Sequence, residues 1–94
     1  MTEVRKIFKY PFHGDLVKVP PGKVLIIAPQ HPGDVFPTLW IEHTDLDLKS
    51  EVRRTYCLVG TGQEFVHGVT HMGSCVCANG ELVWHVYSIA DYHS

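Results

Sequence analysis

Closely spaced turn signals limit the fold of this sequence more than any other feature. Pro, Gly and Asn recur in clusters: Pro20-Pro21-Gly22, residues 29–33, Pro37, Gly60-Thr61-Gly62 and Asn79-Gly80. The segments between these clusters are rich in Val, Ile, Tyr, Phe and Trp, which favour strands. No window of about a dozen residues shows helical periodicity. The sequence therefore predicts an all-β fold.

We predict strands near residues 4–10, 15–19, 23–29, 38–44, 52–59, 72–78 and 81–88. The best helical candidate is a single turn between Gly62 and Thr70. The polar, acidic stretch 42–51 predicts a solvated loop, and residues 91–94 predict a frayed tail. A chain of 94 residues is the length of one domain. The expected architecture is a single small antiparallel β-sandwich or partly open barrel of six or seven strands.

The hairpin around Asn79-Gly80 is the most specific local prediction. An Asn-Gly pair suits a type I′ turn because both of its positions need positive φ. This turn sets a register in which Cys77 faces Leu82, Ser74 faces His85 and Gly73 faces Val86. One face of the hairpin is then a core face, where Gly73 leaves room for a bulky neighbour: Gly73, Cys75, Cys77, Leu82, Trp84 and Val86. Trp84 and Trp40 are expected to anchor the core.

Charge and composition exclude several classes of protein. The net charge of −2 gives no electrostatic footprint for a DNA or RNA polymer. No apolar run approaches the length of a membrane-spanning helix, and the first residues lack the pattern of a signal peptide. We therefore expect a cytoplasmic protein without a membrane partner. Free edge strands on so small a sheet favour self-association, so a homo-oligomer is expected.

The seven histidines and three cysteines invite a metal interpretation. Only His67 and His71 have the i, i+4 spacing of a helical metal pair, and Gly68 and Val69 between them disfavour a helix. The histidines are therefore interpreted as solvated loop residues. Cys75 and Cys77 lie on one face of a strand, and Cys57 on another strand could approach them. We predict free thiols acting as small buried hydrophobes, with no metal and no cofactor.

Ser74 opposite His85 is the sharpest candidate for chemistry. If the register holds, the hydroxyl and the imidazole can share a hydrogen bond, which is how a nucleophile–base pair begins. The same contact is also an ordinary cross-strand polar pair. Because Ser74 lies in mid-strand and the sequence has no G-x-S-x-G elbow, we assign no catalytic residue. A small hydrolase using His85 and Ser74 remains an alternative.

A ligand site is suggested by glycines that follow an apolar run. Gly60, Thr61 and Gly62 form either a structural turn or a loop whose backbone N–H groups cradle an anion. Arg54 lies six residues before Gly60, and an arginine can hold an anion with charge-assisted bonds. We predict a ligand-binding surface made of Arg54, Gly60, Thr61, Gly62, Ser74 and His85.

Short motifs in a fixed order carry a resemblance over essentially the whole chain. They are Lys9-Tyr10-Pro11, Leu39-Trp40, Arg54 before Gly60-Thr61-Gly62, Gly73-Ser74 and residues 82–86 (LVWHV). In this order the chain resembles a family of small phage- and prophage-encoded proteins of unknown function, which carry K-Y-P, L-W, R-x₅-G-T-G, I-G-T and L-V-W-H-V. Gln63 departs from that pattern, since the family often has His there. The loop between Trp40 and Arg54 also differs in length and charge.

The resemblance implies a viral origin and a compact β domain, but no activity. Small phage proteins often counter host defence by occupying a host protein or sequestering a nucleotide signal, and this analogy sets the expectation. We expect a non-enzymatic binding protein in the cytoplasm of the infected bacterium, whose partner is a small anionic ligand or a host protein. A structural or housekeeping phage module is the remaining alternative.

Overall fold

Seven strands and one short helix make up the computed structural model, which describes residues 4–65 and 69–89. The strands are β1 (Arg5–Pro11), β2 (Leu16–Val19), β3 (Lys23–Ala28), β4 (Thr38–Thr44), β5 (Arg54–Gly60), β6 (Val69–Cys77) and β7 (Leu82–Ile89). The helix α1 (Asp45–Lys49) follows β4, and a 3₁₀ turn (Ala78–Gly80) joins β6 to β7. The all-β prediction is confirmed, and each predicted strand is present within a few residues of its expected bounds.

The strands form two antiparallel sheets. The three-stranded sheet has the order β1-β4-β3, and the four-stranded sheet has the order β2-β5-β7-β6. The turn between β2 and β3 carries the chain from one sheet to the other, as does α1 between β4 and β5. The architecture is therefore an open sandwich rather than a closed barrel.

The core lies between the sheets and is filled by alternate residues of the central strands. Its buried members are Phe12, Val19, Leu39, Ile41, Tyr56, Leu58 and Val86. Strand alternation explains this choice, because every second side chain of β4 and β5 points inward. It also corrects one prediction. Trp84 packs against the core, but Trp40 lies between the fully buried Leu39 and Ile41 and so takes the outer face.

The β6–β7 hairpin has the predicted register, with Cys77 opposite Leu82, Ser74 opposite His85 and Gly73 opposite Val86. Asn79 and Gly80 both have positive φ, and the N–H of Glu81 donates to the carbonyl of Ala78, as a type I′ turn requires. A β-carbon at Gly73 would lie 3.0 Å from Cδ1 of Ile27 in the facing sheet. The glycine thus makes the predicted room for a bulky neighbour.

The helix lies elsewhere than predicted. Residues 42–44 complete β4 and Asp45–Lys49 form α1, whereas the sequence predicted a solvated loop over 42–51. The cause is a capping box: the Thr44 hydroxyl accepts the N–H of Asp47, and the Asp47 carboxylate accepts the N–H of Thr44. The helical turn expected between Gly62 and Thr70 is absent from residues 63–65 and 69–70. Residues 66–68, which include His67, and the tail 91–94 lie outside the described residues.

His43 contradicts the interpretation of the histidines as solvated loop residues, because it is fully buried on β4. Its Nδ1 lies 2.6 Å from the carbonyl oxygen of Pro21, and its Nε2 lies 2.8 Å from the hydroxyl of Tyr10. A carbonyl can only accept, so Nδ1 carries a proton and donates it to the hydrogen bond with Pro21. His43 therefore ties the β2–β3 turn and β1 to the inner face of β4.

The sheet edges carry features that oppose pairing with another chain. β1 bears Lys6 and Lys9 and ends at Pro11, β2 has only four residues, and the registers of β3 and β6 each shift at a bulge. Such devices are how natural sheets protect their edges. Self-association, which was expected from free edges, therefore stays a prediction. Over residues 4–65 and 69–89, no helix has the length and apolar character needed to cross a membrane.

Candidate functional site

A row of polar side chains crosses the outer face of the four-stranded sheet. Its centre is the cross-strand pair predicted from the hairpin register: the Ser74 hydroxyl lies 2.8 Å from Nδ1 of His85. Alternation places this pair on the side of the hairpin opposite to the buried Cys75 and Val86. The predicted hydrogen bond is therefore present, on a face that solvent can reach.

His85 uses its second ring nitrogen to reach a neighbouring element. Its Nε2 lies 3.2 Å from the Thr61 hydroxyl, at the turn that follows β5. The structure thus brings together three of the predicted site residues, Thr61, Ser74 and His85. Because each hydroxyl can both donate and accept, the hydrogen bonds along this row can run in either direction.

His71 extends the row and was missed by the sequence analysis. Its Nε2 lies 3.2 Å from the Ser74 hydroxyl. A regular strand would place His71 on the face opposite to Ser74, but the register shifts between His71 and Gly73. This bulge at Met72 turns His71 onto the outer face. Gly73 inside the strand is a local signal that could have indicated a bulge, but it does not specify that His71 turns toward Ser74. We call Thr61, His85, Ser74 and His71 the polar row.

Aromatic rings continue the polar row from His71 on the edge strand β6 back to β7 and to the segment that follows β5. The ring of His71 meets that of Tyr87 edge to face, with centroids 5.2 Å apart. Tyr87 in turn packs against Phe65 with centroids 4.8 Å apart. The side chain of Phe65 is about half exposed, with a relative accessibility of 53%. The outer face therefore offers hydrogen-bonding groups beside exposed aromatic surface, a combination typical of binding sites.

The Gly60-Thr61-Gly62 segment is a tight turn. The N–H of Gln63 donates to the carbonyl of Gly60, and Gly62 has φ of +88° while φ of Thr61 is negative. This is the pattern of a type II turn, which needs a glycine at its third position. The side-chain oxygen of Gln63 also accepts the N–H of Gly60. The backbone N–H of Gly60 is therefore occupied and is not available to the anion cradle that was predicted from the glycines.

A cavity of about 530 Å³ opens beside this turn. We call it the Thr61 cavity, and its lining residues are Gly60, Thr61, Gln63, Glu81, Leu82, Val83 and Trp84. Its volume falls in the range of small-ligand pockets, which is about 300–1,000 Å³. Thr61 belongs both to the cavity wall and to the polar row. The glycine turn thus places at the cavity a residue whose hydroxyl contacts an imidazole.

Arg54 is not part of this arrangement. It begins β5, whereas Gly60 ends it, and six strand steps of about 3.3 Å separate the two by ~20 Å. The structure therefore divides the predicted site. Gly60, Thr61, Gly62, Ser74 and His85 lie at one end of β5, and Arg54 lies at the other.

Residues 3–93 match the profile of a domain family described as a domain of unknown function, DUF7352. The chain belongs to the DUF7352 family. The match spans nearly the whole sequence, as the resemblance to a family of unknown function did. No curated protein and no solved structure matches the chain significantly.

The polar row of this DUF7352 domain has the parts of a nucleophile–base pair without the groups that activate one. In the part of the chain that the structure describes, no carboxylate bonds to either ring nitrogen of His85, because Ser74 and Thr61 take both. Ser74 lies in the middle of the extended strand β6 rather than at a turn that would present converging backbone N–H groups to an oxyanion. The geometry therefore suits hydrogen bonding to a ligand better than acyl transfer.

The cysteines of the DUF7352 domain are free thiols, and two of them are buried. Burial, together with the smaller effect of the neighbouring Cys77, whose sulfur lies 3.6 Å away, raises the pKa of the Cys75 thiol to about 12. Cys57 does not approach them, since it lies between the core residues Tyr56 and Leu58 on β5 and takes the opposite face. Across residues 4–65 and 69–89, no group of three His, Cys, Asp or Glu side chains is placed to hold a metal ion.

Proposed function

We propose that this DUF7352 domain is a phage-encoded, non-enzymatic binding protein that captures a small anionic, nucleotide-like ligand in the Thr61 cavity. One observation carries the proposal: Thr61 lines the cavity, and its hydroxyl contacts Nε2 of His85, 3.2 Å away. A ligand that enters the cavity therefore meets the end of an ordered row of hydrogen-bonding groups.

The two sides of the cavity favour different parts of such a ligand. Leu82 and Trp84, whose side chains lie on the same face of β7, offer apolar surface against which a planar ring can pack. The anionic group of the ligand belongs at the Thr61 end, where the Thr61 hydroxyl can donate a hydrogen bond while it accepts one from His85. Glu81 also lines the cavity, and its negative charge disfavours the opposite orientation.

A biological role follows from the resemblance to phage and prophage proteins rather than from the geometry. A protein that holds a nucleotide signal in the cytoplasm of the infected bacterium would weaken a host defence that depends on this signal. Occupation of a host protein is the alternative mode of action. The exposed apolar side chains of Val76, Val83 and Leu16 would favour it, since they share the outer sheet face with the polar row.

Calorimetric titration with nucleoside monophosphates and the corresponding nucleosides tests the proposal. The wild-type protein should bind a monophosphate, and Thr61→Val should weaken binding about tenfold, since a lost hydrogen bond to a charged group costs ~1.5 kcal/mol or more. Thr70→Val is the matched control, because Thr70 is exposed on β6 and makes no side-chain hydrogen bond among the described residues. Absence of binding to the whole panel would contradict ligand capture and favour the host-protein alternative.

A small hydrolase is the second candidate, because the Ser74 hydroxyl and Nδ1 of His85 lie 2.8 Å apart. For it to hold, the imidazole must activate Ser74 with Thr61, rather than a carboxylate, at its other nitrogen. Covalent labelling of Ser74 by a fluorophosphonate distinguishes this candidate from a binding protein.

A further inference from the structure

A second cleft lies at the far end of β5 from the Thr61 cavity. It encloses about 320 Å³ where the turn between β2 and β3 crosses from one sheet to the other. We call it the Arg54 cleft, and its lining residues are Arg5, Pro21, Gly22, Lys23, Glu42, Thr44, Asp47 and Arg54. We propose that the Arg54 cleft is a separate binding site for a phosphate group, free or attached to a small molecule.

Charge is the first argument for this site. The cleft is lined by three cationic side chains and two carboxylates. Both carboxylates are already engaged: Glu42 forms an ion pair with Arg5 at 3.4 Å, and Asp47 accepts the N–H of Thr44. Among residues 4–65 and 69–89, neither Lys23 nor Arg54 forms an ion pair with a carboxylate. Asp47 keeps its negative charge, because a backbone hydrogen bond does not neutralise a carboxylate, so the three cations and two carboxylates leave the cleft a net charge of +1 that an anion can balance.

The cleft wall is preformed, which is the second argument. Gly22 lies so close to β4 that a β-carbon there would sit 2.6 Å from the carbonyl oxygen of Glu42 and 2.7 Å from Nδ1 of His43. The preceding carbonyl, that of Pro21, is held by the buried His43. This contact fixes the turn from which Lys23 projects, so ordering the wall adds little to the cost of binding.

The two cations come from different sheets, which suits a compact anion. Lys23 begins β3 in the three-stranded sheet, and Arg54 begins β5 in the four-stranded sheet, opposite Val19. The guanidinium of an arginine presents paired donors that match two oxygens of a phosphate, and a lysine adds a point charge. An anion with several oxygens can engage both residues at once. A single carboxylate offers fewer acceptors.

Phosphorus NMR tests the site with inorganic phosphate and with glycerol 3-phosphate at constant ionic strength. Wild-type protein should broaden the phosphate resonance, and Arg54→Gln should reduce this broadening at least fivefold. Lys18→Gln removes an exposed positive charge outside the cleft and should broaden the signal as the wild type does. Stronger broadening of one of the two probes shows whether the free ion or the phosphomonoester is preferred.

Equal broadening of the phosphate resonance by wild type and Arg54→Gln would overturn the proposal. An equal decrease in broadening in Arg54→Gln and Lys18→Gln would also overturn it, because it would indicate unspecific attraction between charges. Should Arg54→Gln fail to fold, Lys23→Gln decides in the same way. The Thr61→Val variant should broaden phosphate normally. With this last result the two proposals are tested independently, because phosphate binding in the Arg54 cleft and ligand binding in the Thr61 cavity are each lost in a different variant.

Discussion

Ser74 and His85 face each other across the β6–β7 hairpin, with the hydroxyl 2.8 Å from Nδ1 of the imidazole. The second ring nitrogen meets Thr61 rather than a carboxylate. The pair therefore has the geometry of a serine–histidine dyad and the surroundings of a hydrogen-bonding surface. This difference leads to a direct prediction about reactivity.

Ser74 should not react with a fluorophosphonate probe. Such probes label serines whose hydroxyl is activated by a base and whose adduct is stabilised by oxyanion donors. Mass spectrometry of the protein after incubation should show the unmodified mass, as it should for Ser74→Ala. An adduct on Ser74 that is lost in His85→Ala would establish the hydrolase candidate instead.

Gly80→Val should destabilise the fold by about 1 kcal/mol or more. Gly80 has φ of +94° in the hairpin turn, a region that β-branched residues avoid. Urea denaturation measures the change in the free energy of unfolding. Gly14→Val is the control, since no atom lies within 4 Å of its added β-carbon. Equal stability of Gly80→Val and wild type would show that the turn is wrong.

The success of this hairpin shows what the sequence can specify. An Asn-Gly turn fixes the pairing of the residues on both sides, so the Ser74–His85 contact and the buried face with Cys75, Cys77 and Val86 could be derived from spacing alone. The capping box at Thr44 and Asp47 was also readable from the sequence, and it accounts for α1 in the stretch that was predicted as a loop.

The remaining parts of the site depend on how the strands pair, which local signals such as Gly73 indicate only in part. The bulge at Met72 brings His71 beside Ser74, and a bulge is a response of the strand to its sheet. The grouping of Arg54 with Gly60 failed for a simpler reason, because a strand of seven residues holds its two ends far apart. The contact of Thr61 with His85 joins residues 24 positions apart and depends on β5 pairing with β7.

Cys75 should resist alkylation in the native protein until strongly alkaline pH. Burial raises the pKa of its thiol to about 12, and only the thiolate reacts with iodoacetamide. Peptide mapping at pH 8 should show little modification of Cys75 in the folded protein and full modification in urea. Equal rates in the two states would contradict the buried position.

The same raised pKa predicts how stability depends on alkaline pH. The unfolded chain releases the thiol proton near its ordinary pKa of about 8.5, whereas the folded state retains it. The contribution of Cys75 is therefore complete below that pH and is lost as the pH rises toward 12. Cys75→Ala should show a smaller decline in melting temperature between pH 9 and 11 than the wild type, and an equal decline would count against the assignment.

The purified protein should contain no stoichiometric zinc. Over the described residues, no three metal-binding side chains converge, and Cys75 and Cys77 lie in an apolar interior. Elemental analysis should find much less than one zinc per chain, and EDTA should leave the melting curve unchanged. One zinc per chain, removed by EDTA with loss of stability, would overturn this interpretation of the cysteines and histidines.

The central claim is that the Thr61 cavity binds a nucleotide-like ligand, and amide chemical-shift mapping with a nucleoside monophosphate tests it most directly. The largest shifts should fall on residues 60–63 and 82–84, should be absent from β1 on the other sheet, and should fade in Thr61→Val at the same ligand concentration. Shifts confined to the Arg54 cleft, or unchanged shifts in Thr61→Val, would contradict the claim.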